Sequence, residues 1–340
     1  MTSSNDRLPL GGWGRTWALT VLLVSLPLSI WEVWWRVKGF GPGVEAGDES
    51  WIMALHDLPR ATTVALGSSR IQAALDPGAF RQEAGGAPVV NLALPASSPI
   101  PVLEYLADST VYTGTVIVEI LPMFAFDATQ YGARRGIGLI QRYARDRVSP
   151  ARLTENWLRV HLLNHLVFRT TQLLPGPLTK TLRRGSSVEL RSTRMRTDRF
   201  APVNHRRFLA NRTWDSVGGF RDISYQTMAR AGRPADDAEY AALKNRILIA
   251  ANRVIDRGGT VVLLYIAACG ERRRIEERRY PRAQYWDPLA QESRAIAIAT
   301  EDYPELSNFA CWDGSHIDAA DAPAWAKALE KVIRRAHPRA

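Results

Sequence analysis

Three residues in this chain could together perform acyl chemistry. Ser69 lies in Gly67-Ser68-Ser69-Arg70, directly after the β-branched run Thr62 to Leu66, and Asp313 and His316 lie in Asp313-Gly314-Ser315-His316, shortly before a C-terminal helical pattern. A serine hydroxyl is a poor nucleophile until a base takes its proton. Histidine serves as that base when a third group fixes its tautomer and steadies the imidazolium. An Asp three residues before a His on a turn can present both side chains on one side, the carboxylate on one ring nitrogen and the other nitrogen facing Ser69. Ser68 is the alternative nucleophile. Arg70, beside them, is either a holder for an acidic substrate group or an ordinary surface or ion-paired arginine.

These segments must be positioned by regular elements. Thr62 to Leu66, Pro88 to Leu92, Thr115 to Leu121 and Thr260 to Ile266 are short, continuous apolar runs that predict strands, with Leu306 to Cys311 as a weaker fifth. Helical spacing marks Pro101 to Ala107, Ala238 to Arg257 and Ala322 to Ala336, where Trp325, Leu329, Val332 and Ile333 recur at i, i+4, i+7 and i+8. Strands alternating with helices imply an α/β fold with a parallel sheet covered on both faces and ligands at the carboxyl ends of its strands. Before it, residues 17–35 (WALTVLLVSLPLSIWEVWW) form a 19-residue stretch whose only ionisable residue is Glu32. That is long enough for a transmembrane anchor, with Trp31, Trp34 and Trp35 suited to the lipid–water interface. No small-residue cleavage site follows, which favours an uncleaved anchor over a removed signal peptide. Arg7 and Arg15 before the span balance Arg36 and Lys38 after it, so charge does not set its orientation. Residues 36–50 read as a linker, 51–336 as the globular domain and 130–235 as a helical insertion.

VALGSSR, NLALPASSP and CWDGSHID, in that order on a five-strand α/β pattern behind an anchor, resemble the SGNH (GDSL-like) hydrolase superfamily. The resemblance is to its membrane-anchored branch that reads G-S-S at the nucleophile, similar to cell-wall D-alanylation and polysaccharide O-acetylation proteins. It covers about 50–125 and 255–335. It implies a three-layer flavodoxin-like parallel sheet of about five strands, with Ser69 as nucleophile and Asp313 and His316 as the DxxH pair. It also implies oxyanion donors after the second and third strands. At the second, Pro95-Ala96-Ser97-Ser98 puts Ala96 where the family has Gly, which keeps a backbone N–H. At the third, Glu119-Ile120-Leu121-Pro122-Met123 offers no Asn, and Pro122 cannot donate. Losing one oxyanion donor costs about 100- to 1,000-fold in rate. Three outcomes are open: a slow enzyme, replacement of the donor by Ser97 or Ser98, or no catalysis.

Other features add less. His161 and His165 are spaced i, i+4, but no carboxylate completes a metal pattern, so helix packing is expected and no metal or cofactor. His56, His205 and His337 show no partners in the sequence, and Asp127 is either an orienting group or a turn residue. Cys269 and Cys311 follow the expected fourth and fifth strands; two unpaired thiols are the default, a disulfide the alternative in an oxidising compartment. The chain carries 44 basic and 34 acidic residues, net +10, and all but five of the basic residues are arginine. Genome composition accounts for such a bias as readily as an anionic partner does. Basic pairs such as Arg183-Arg184 and Arg206-Arg207 lack interleaved aromatics, which argues against nucleic acid. The insertion, rich in Arg and Pro with an amphipathic stretch at Ala151 to Phe168, is expected to form a lid or substrate-recognition subdomain.

The expectation is therefore a single-pass inner-membrane protein with residues 1–16 cytoplasmic and the globular domain periplasmic. It would act as a serine esterase or O-acyltransferase on an acylated envelope glycan or lipid-linked intermediate, with envelope-assembly proteins as possible partners. The alternative is a catalytically impaired scaffold of an envelope polysaccharide or cell-wall assembly.

Overall fold

The computed structural model describes residues 10–37, 48–162, 166, 195–205, 232–311 and 313–336. His165, His337, Arg183, Arg184, Arg206, Arg207, most of the linker and the middle of the insertion lie outside them. The chain divides into two compact units, 1–43 with 163–188 and 44–162 with 189–340.

In the first unit, α1 (Leu10–Val37) runs past both ends of the expected anchor. Its stretch Trp13–Val37 is long and apolar enough to cross a membrane, with none of its most apolar window buried in protein. At 1.5 Å per residue those 25 residues reach about 37 Å, more than a hydrocarbon core of about 30 Å. Pro27 is accommodated inside the helix. Trp31, Trp34 and Trp35 cluster near its end, the last two with ring centroids 4.6 Å apart.

The second unit is an α/β domain. Its elements are α2 (Asp48–His56), β1 (Thr63–Leu66), α3 (Ser69–Ala74), α4 (Pro77–Glu83), β2 (Val89–Asn91), α5 (Ile100–Ser109), β3 (Thr115–Glu119), α6 (Pro122–Ala125), α7 (Ala133–Asp146) and α8 (Pro150–His161). There follow α9 (Asp237–Asp256), β4 (Thr260–Tyr265), α10 (Gly270–Arg279), α11 (Arg282–Tyr285), α12 (Asp287–Glu292), β5 (Ile296–Ala299), α13 (Pro304–Ser307) and α14 (Ala322–Ala336). The five strands are all parallel, in the order β2-β1-β3-β4-β5.

Strand side chains alternate between two cores. Val64, Leu66, Val116, Val118, Val261 and Leu263 pack with α5 and α9 on one face. Ala65, Ile117, Val262, Leu264 and Ile298 pack with α3, α4 and α14 on the other, where Trp325, Leu329 and Val332 form the buried stripe of α14. Burial on both faces explains why these strands read as unbroken apolar runs.

The fifth strand corrects the sequence expectation. It is Ile296–Ala299, paired with Val262 to Tyr265, whereas Leu306 to Cys311 begins in the short helix α13 and continues without strand pairing. Pro304, at the start of α13, lacks an N–H and has its φ fixed for a helical first turn, so this stretch is not built for a ladder. Of the insertion, α7 and α8 pack against α2. Residues 195–205 are also tied to the domain: the Arg199 guanidinium donates to the Asn91 and Ala93 carbonyls and to Ser50 Oγ, and Ala201 N–H donates to Gln72 O.

Candidate active site

The order β2-β1-β3 puts the carboxyl end of β1 beside the ends of both neighbouring strands, a crevice that suits ligands in open α/β sheets. The chain leaves β1 through Gly67, whose φ is +145°, and an added Cβ there would come within 2.5 Å of Glu119 Oε2. Glycine is needed because Glu119, the last residue of β3, turns into this space: its carboxylate accepts Ser68 N–H at 2.5 Å and Ser68 Oγ–H at 3.0 Å. Burial pushes the Glu119 carboxyl up, partly offset by those bonds from Ser68 and by the Arg70 charge. Ser68 Oγ also accepts Arg70 N–H at 3.2 Å as the cap of α3. Buried and fully engaged, Ser68 is not the free hydroxyl.

Ser69 is. It is the first residue of α3, half-buried, and its Oγ lies 2.9 Å from His316 Nε2. His316 Nδ1 lies 2.7 Å from Asp313 Oδ2, while Asp313 Oδ1 accepts the backbone N–H groups of Ser315 (2.8 Å) and His316 (2.7 Å). Residues 247 apart in the chain thus meet in the arrangement expected of nucleophile, base and orienter. Burial alone would raise the Asp313 carboxyl; the rings of His205 and His316 and the His316 N–H outweigh it and hold Asp313 far below the ordinary carboxylate range.

Arg70 is not at the crevice surface. Its side chain is 1% exposed, Nη2 is paired with Glu276, Nη1 donates to Ile266 O at 2.9 Å and Nε donates to Ser315 Oγ at 3.2 Å. The reading of Arg70 as a substrate holder gives way to the ion-paired one, because every nitrogen is spent inside the protein. Arg272 Nε also donates to Glu276, at 2.7 Å. Burial opposes ionisation of Glu276, but the two guanidiniums hold its carboxyl below the ordinary range.

The DxxH loop is held from a second side by the Cys269–Cys311 disulfide, which replaces the expected pair of free thiols. Cys269 N–H donates to Gly314 O at 3.0 Å and Gly314 N–H to Cys311 O at 2.9 Å, so the bridge brackets the turn. Gly314 has φ +76°, and a Cβ there would lie 3.1 Å from Arg272 Cβ.

On the opposite side, Leu94 N–H donates to Gly67 O at 2.8 Å and brings the loop of Ala96 to the nucleophile turn. Ala96 takes φ +53°, a conformation natural to glycine. Among the described residues the backbone N–H groups of Ser69 and Ala96 have no acceptor, which leaves both for a developing oxyanion. Ser97 donates its hydroxyl to Pro95 O at 3.1 Å, and Ser98 gives its N–H to Gly132 O and accepts Ile100 N–H on its hydroxyl. Beyond β3, Pro122 and Met123 begin the short α6, and Met123 Sδ lies 3.9 Å from an Arg272 nitrogen.

His205 corrects a further reading. It is 4% exposed, with Nδ1 3.0 Å from Asp318 Oδ2 and Nε2 3.9 Å from Asp313 Oδ2. No local pattern cues this placement, because Asp313 and Asp318 lie more than a hundred residues along the chain. Asp127 takes the turn role, accepting N–H from Thr129 and Tyr131 and the Thr129 hydroxyl. His161 packs its ring on Trp157, centroids 5.2 Å apart. Among the described residues no cluster of three or more His, Cys, Asp or Glu could hold a metal ion.

No family model matches the sequence, and no curated protein matches it.

Proposed function

We propose that this chain is a membrane-anchored serine esterase or O-acyltransferase with an SGNH-like, flavodoxin-like core. The observation that carries the reading is the continuous relay from Ser69 Oγ to His316 Nε2 (2.9 Å) and from His316 Nδ1 to Asp313 Oδ2 (2.7 Å). Ser69 Oγ attacks the carbonyl carbon of an acyl ester as His316 takes its proton. The backbone N–H groups of Ser69 and Ala96 receive the negative charge of the tetrahedral intermediate. His316 then returns the proton to the departing alcohol, leaving an acyl-Ser69 ester. Water completes a hydrolysis; a sugar hydroxyl completes a transfer. The apolar α1 and a disulfide suited to an oxidising compartment support an inner-membrane anchor with a periplasmic catalytic domain and an acylated envelope glycan or lipid-linked substrate.

The test is fluorophosphonate labelling of the full chain in detergent. Wild type takes the label and Ser69→Ala does not, while Ser68→Ala keeps a reactive Ser69. Acyl donors then separate released acid from acylated sugar. One observation favours a second reading: β3 ends without an Asn, so the oxyanion site rests on two backbone donors. A wild-type chain that is folded but inert to the probe makes it a scaffold of envelope assembly.

A further inference from the structure

Residues 131–162 hold seven arginines against two acidic residues, Asp146 and Glu155. Both carboxylates are engaged, Asp146 by Arg142, Arg152 and Asn156, and Glu155 by Arg159. Arg142 is also tied to Asp48 and Glu49 at the start of α2. Among the described residues Arg134, Arg135, Arg145 and Arg147 have no carboxylate within ion-pair distance. Along α7 and the turn after it, Arg134, Ile137, Gln141, Arg145 and Val148 recur at i, i+3, i+7, i+11 and i+14, one outward line on which all five are exposed. On α8, Asn156 and Val160 are buried, while Trp157 (50% exposed), Leu158 and, just past the helix, Leu162 are left in water. Both helices set their buried sides on α2, so the exposed line of each looks away from the domain.

We propose that the outer side of α7 and α8 is a docking surface for an anionic phospholipid bilayer, its unpaired arginines on lipid phosphates and its Trp and Leu side chains at the acyl boundary. The inference goes beyond the acyl chemistry and does not depend on it.

Large apolar side chains interleaved with free guanidiniums suit the boundary between headgroups and acyl chains, where each kind finds its own partner. An indole sits at headgroup level, and a guanidinium pairs with phosphate through two parallel hydrogen bonds. A purely polyanionic partner would use the arginines and leave Ile137, Val148, Leu158 and Leu162 in water. The chain also brings its own bilayer. α1 is long and apolar enough to cross one, and residues 38–47 alone separate its end from α2, on which α7 and α8 pack. A chain of that length reaches at most about 40 Å. Such a tether raises the effective concentration of the surface at the leaflet, so modest intrinsic affinity suffices. The surface is also preformed, because Asp146 of α7 accepts from Arg152 and Asn156 of α8 and fixes the two helices to each other.

The test uses the full chain in lipid-bilayer discs, with a fluorescent dye on Leu158→Cys or on Ala336→Cys, which is exposed at the end of α14 on the other face of the sheet. The native cysteines are paired, so the dye goes to the new thiol. The discs hold phosphatidylcholine alone or with about 30% phosphatidylglycerol, and a lipid-borne nitroxide or water-borne acrylamide serves as quencher. In anionic discs the Leu158 dye should be quenched by the nitroxide and shielded from acrylamide, with less of both in neutral discs. The Ala336 dye should respond to acrylamide alone. Each arginine near an anionic leaflet contributes about fivefold to partitioning, so Arg134→Gln combined with Arg145→Gln should lower the docked-to-free ratio roughly 25-fold. The melting temperature should stay unchanged, since neither side chain has an ion-pair partner to lose. High salt should weaken docking in the same direction. Nitroxide quenching at Leu158 no greater than at Ala336, or indifferent to both lipid charge and the double variant, overturns the proposal. So does shielding from acrylamide already present in detergent, which would assign the surface to a second copy of the chain.

Discussion

Arg70 offers the sharpest test of how the site is held. Its side chain is 1% exposed and binds three different partners: the Glu276 carboxylate, Ile266 O and Ser315 Oγ. Arg70→Met keeps much of the volume and removes all three. Breaking a buried ion pair costs about 3–5 kcal/mol. The low end, about 3 kcal/mol, applies because Arg272 still holds Glu276 at 2.7 Å. For a domain of this size that corresponds to a melting temperature lower by roughly 6–12 °C. Arg70→Lys keeps a cation for Glu276, but one ammonium cannot span the three directions that the guanidinium fork serves. It should lose about 1–2 kcal/mol for the abandoned carbonyl or hydroxyl, and so fall between wild type and Arg70→Met. Because Ser315 sits one residue from His316, labelling at Ser69 should drop about 10- to 100-fold in Arg70→Met even where the domain is folded. Calorimetry and labelling at 20 °C read both effects. An Arg70→Met chain that melts within 2 °C of wild type (roughly 1 kcal/mol or less), or an Arg70→Lys chain that is the less stable of the two, would refute the reasoning.

Three further outcomes follow from the same geometry. Burial raises the Glu119 carboxyl, so its favourable contribution is present below the ordinary carboxylate range and is lost as pH rises through its elevated folded value. Glu119→Gln should therefore melt higher than wild type at pH 8 and show a flatter pH profile of melting, provided the amide keeps the Ser68 contacts. The Cys269–Cys311 bridge spans a sequence separation of 42, worth about 4 kcal/mol of loop entropy. Reductant or the paired Cys→Ser variant should lower the melting temperature and then the labelling rate. Ser97→Ala should label within about twofold of wild type, because that hydroxyl is spent on Pro95 O; a loss of 100-fold, the scale of a missing oxyanion donor, would make Ser97 one.

What the sequence made legible was local or periodic. The runs at β1 to β4 and the stripe of α14 were visible because burial on both strand faces or on one helix face writes itself into spacing. The meeting of Ser69 with His316 was legible only through motif order, since the parallel sheet brings the end of β1 near the C-terminal segment. β5 was missed because its core face needs just Ile296 and Ile298, with alanines between, a weaker signal than the apolar letters around Leu306. Arg70 stayed open between a substrate holder and an ion-paired arginine because its acceptors, Ile266 O and Glu276, lie 196 and 206 residues away and no local pattern announces them. His205 and Asp318, 113 apart, were invisible for the same reason. One cue was available: Glu119, a charge at the end of an otherwise apolar strand, signals a buried partner, and Gly67-Ser68 supplies it.

The irregular turn at 313–316 carries His316, the proposed base, and an unsupported loop would sample many conformations at a cost of about 1–2 kcal/mol per residue to fix. A working relay needs its atoms held to about 0.5 Å. The structure meets that demand from three directions: Arg70 on Ser315, the disulfide around Gly314, and the 200–205 segment along Asp318. Two of the three begin in elements that also set the nucleophile, α3 through Arg70 and through Gln72, which receives Ala201. Base and nucleophile are therefore referenced to one short helix, and disturbance of either brace should alter their separation before it unfolds the sheet. That order of events predicts that, during gentle heating, labelling at Ser69 declines ahead of loss of the far-ultraviolet helical signal. Coincident loss of the two would mean that the turn is held by the global fold alone.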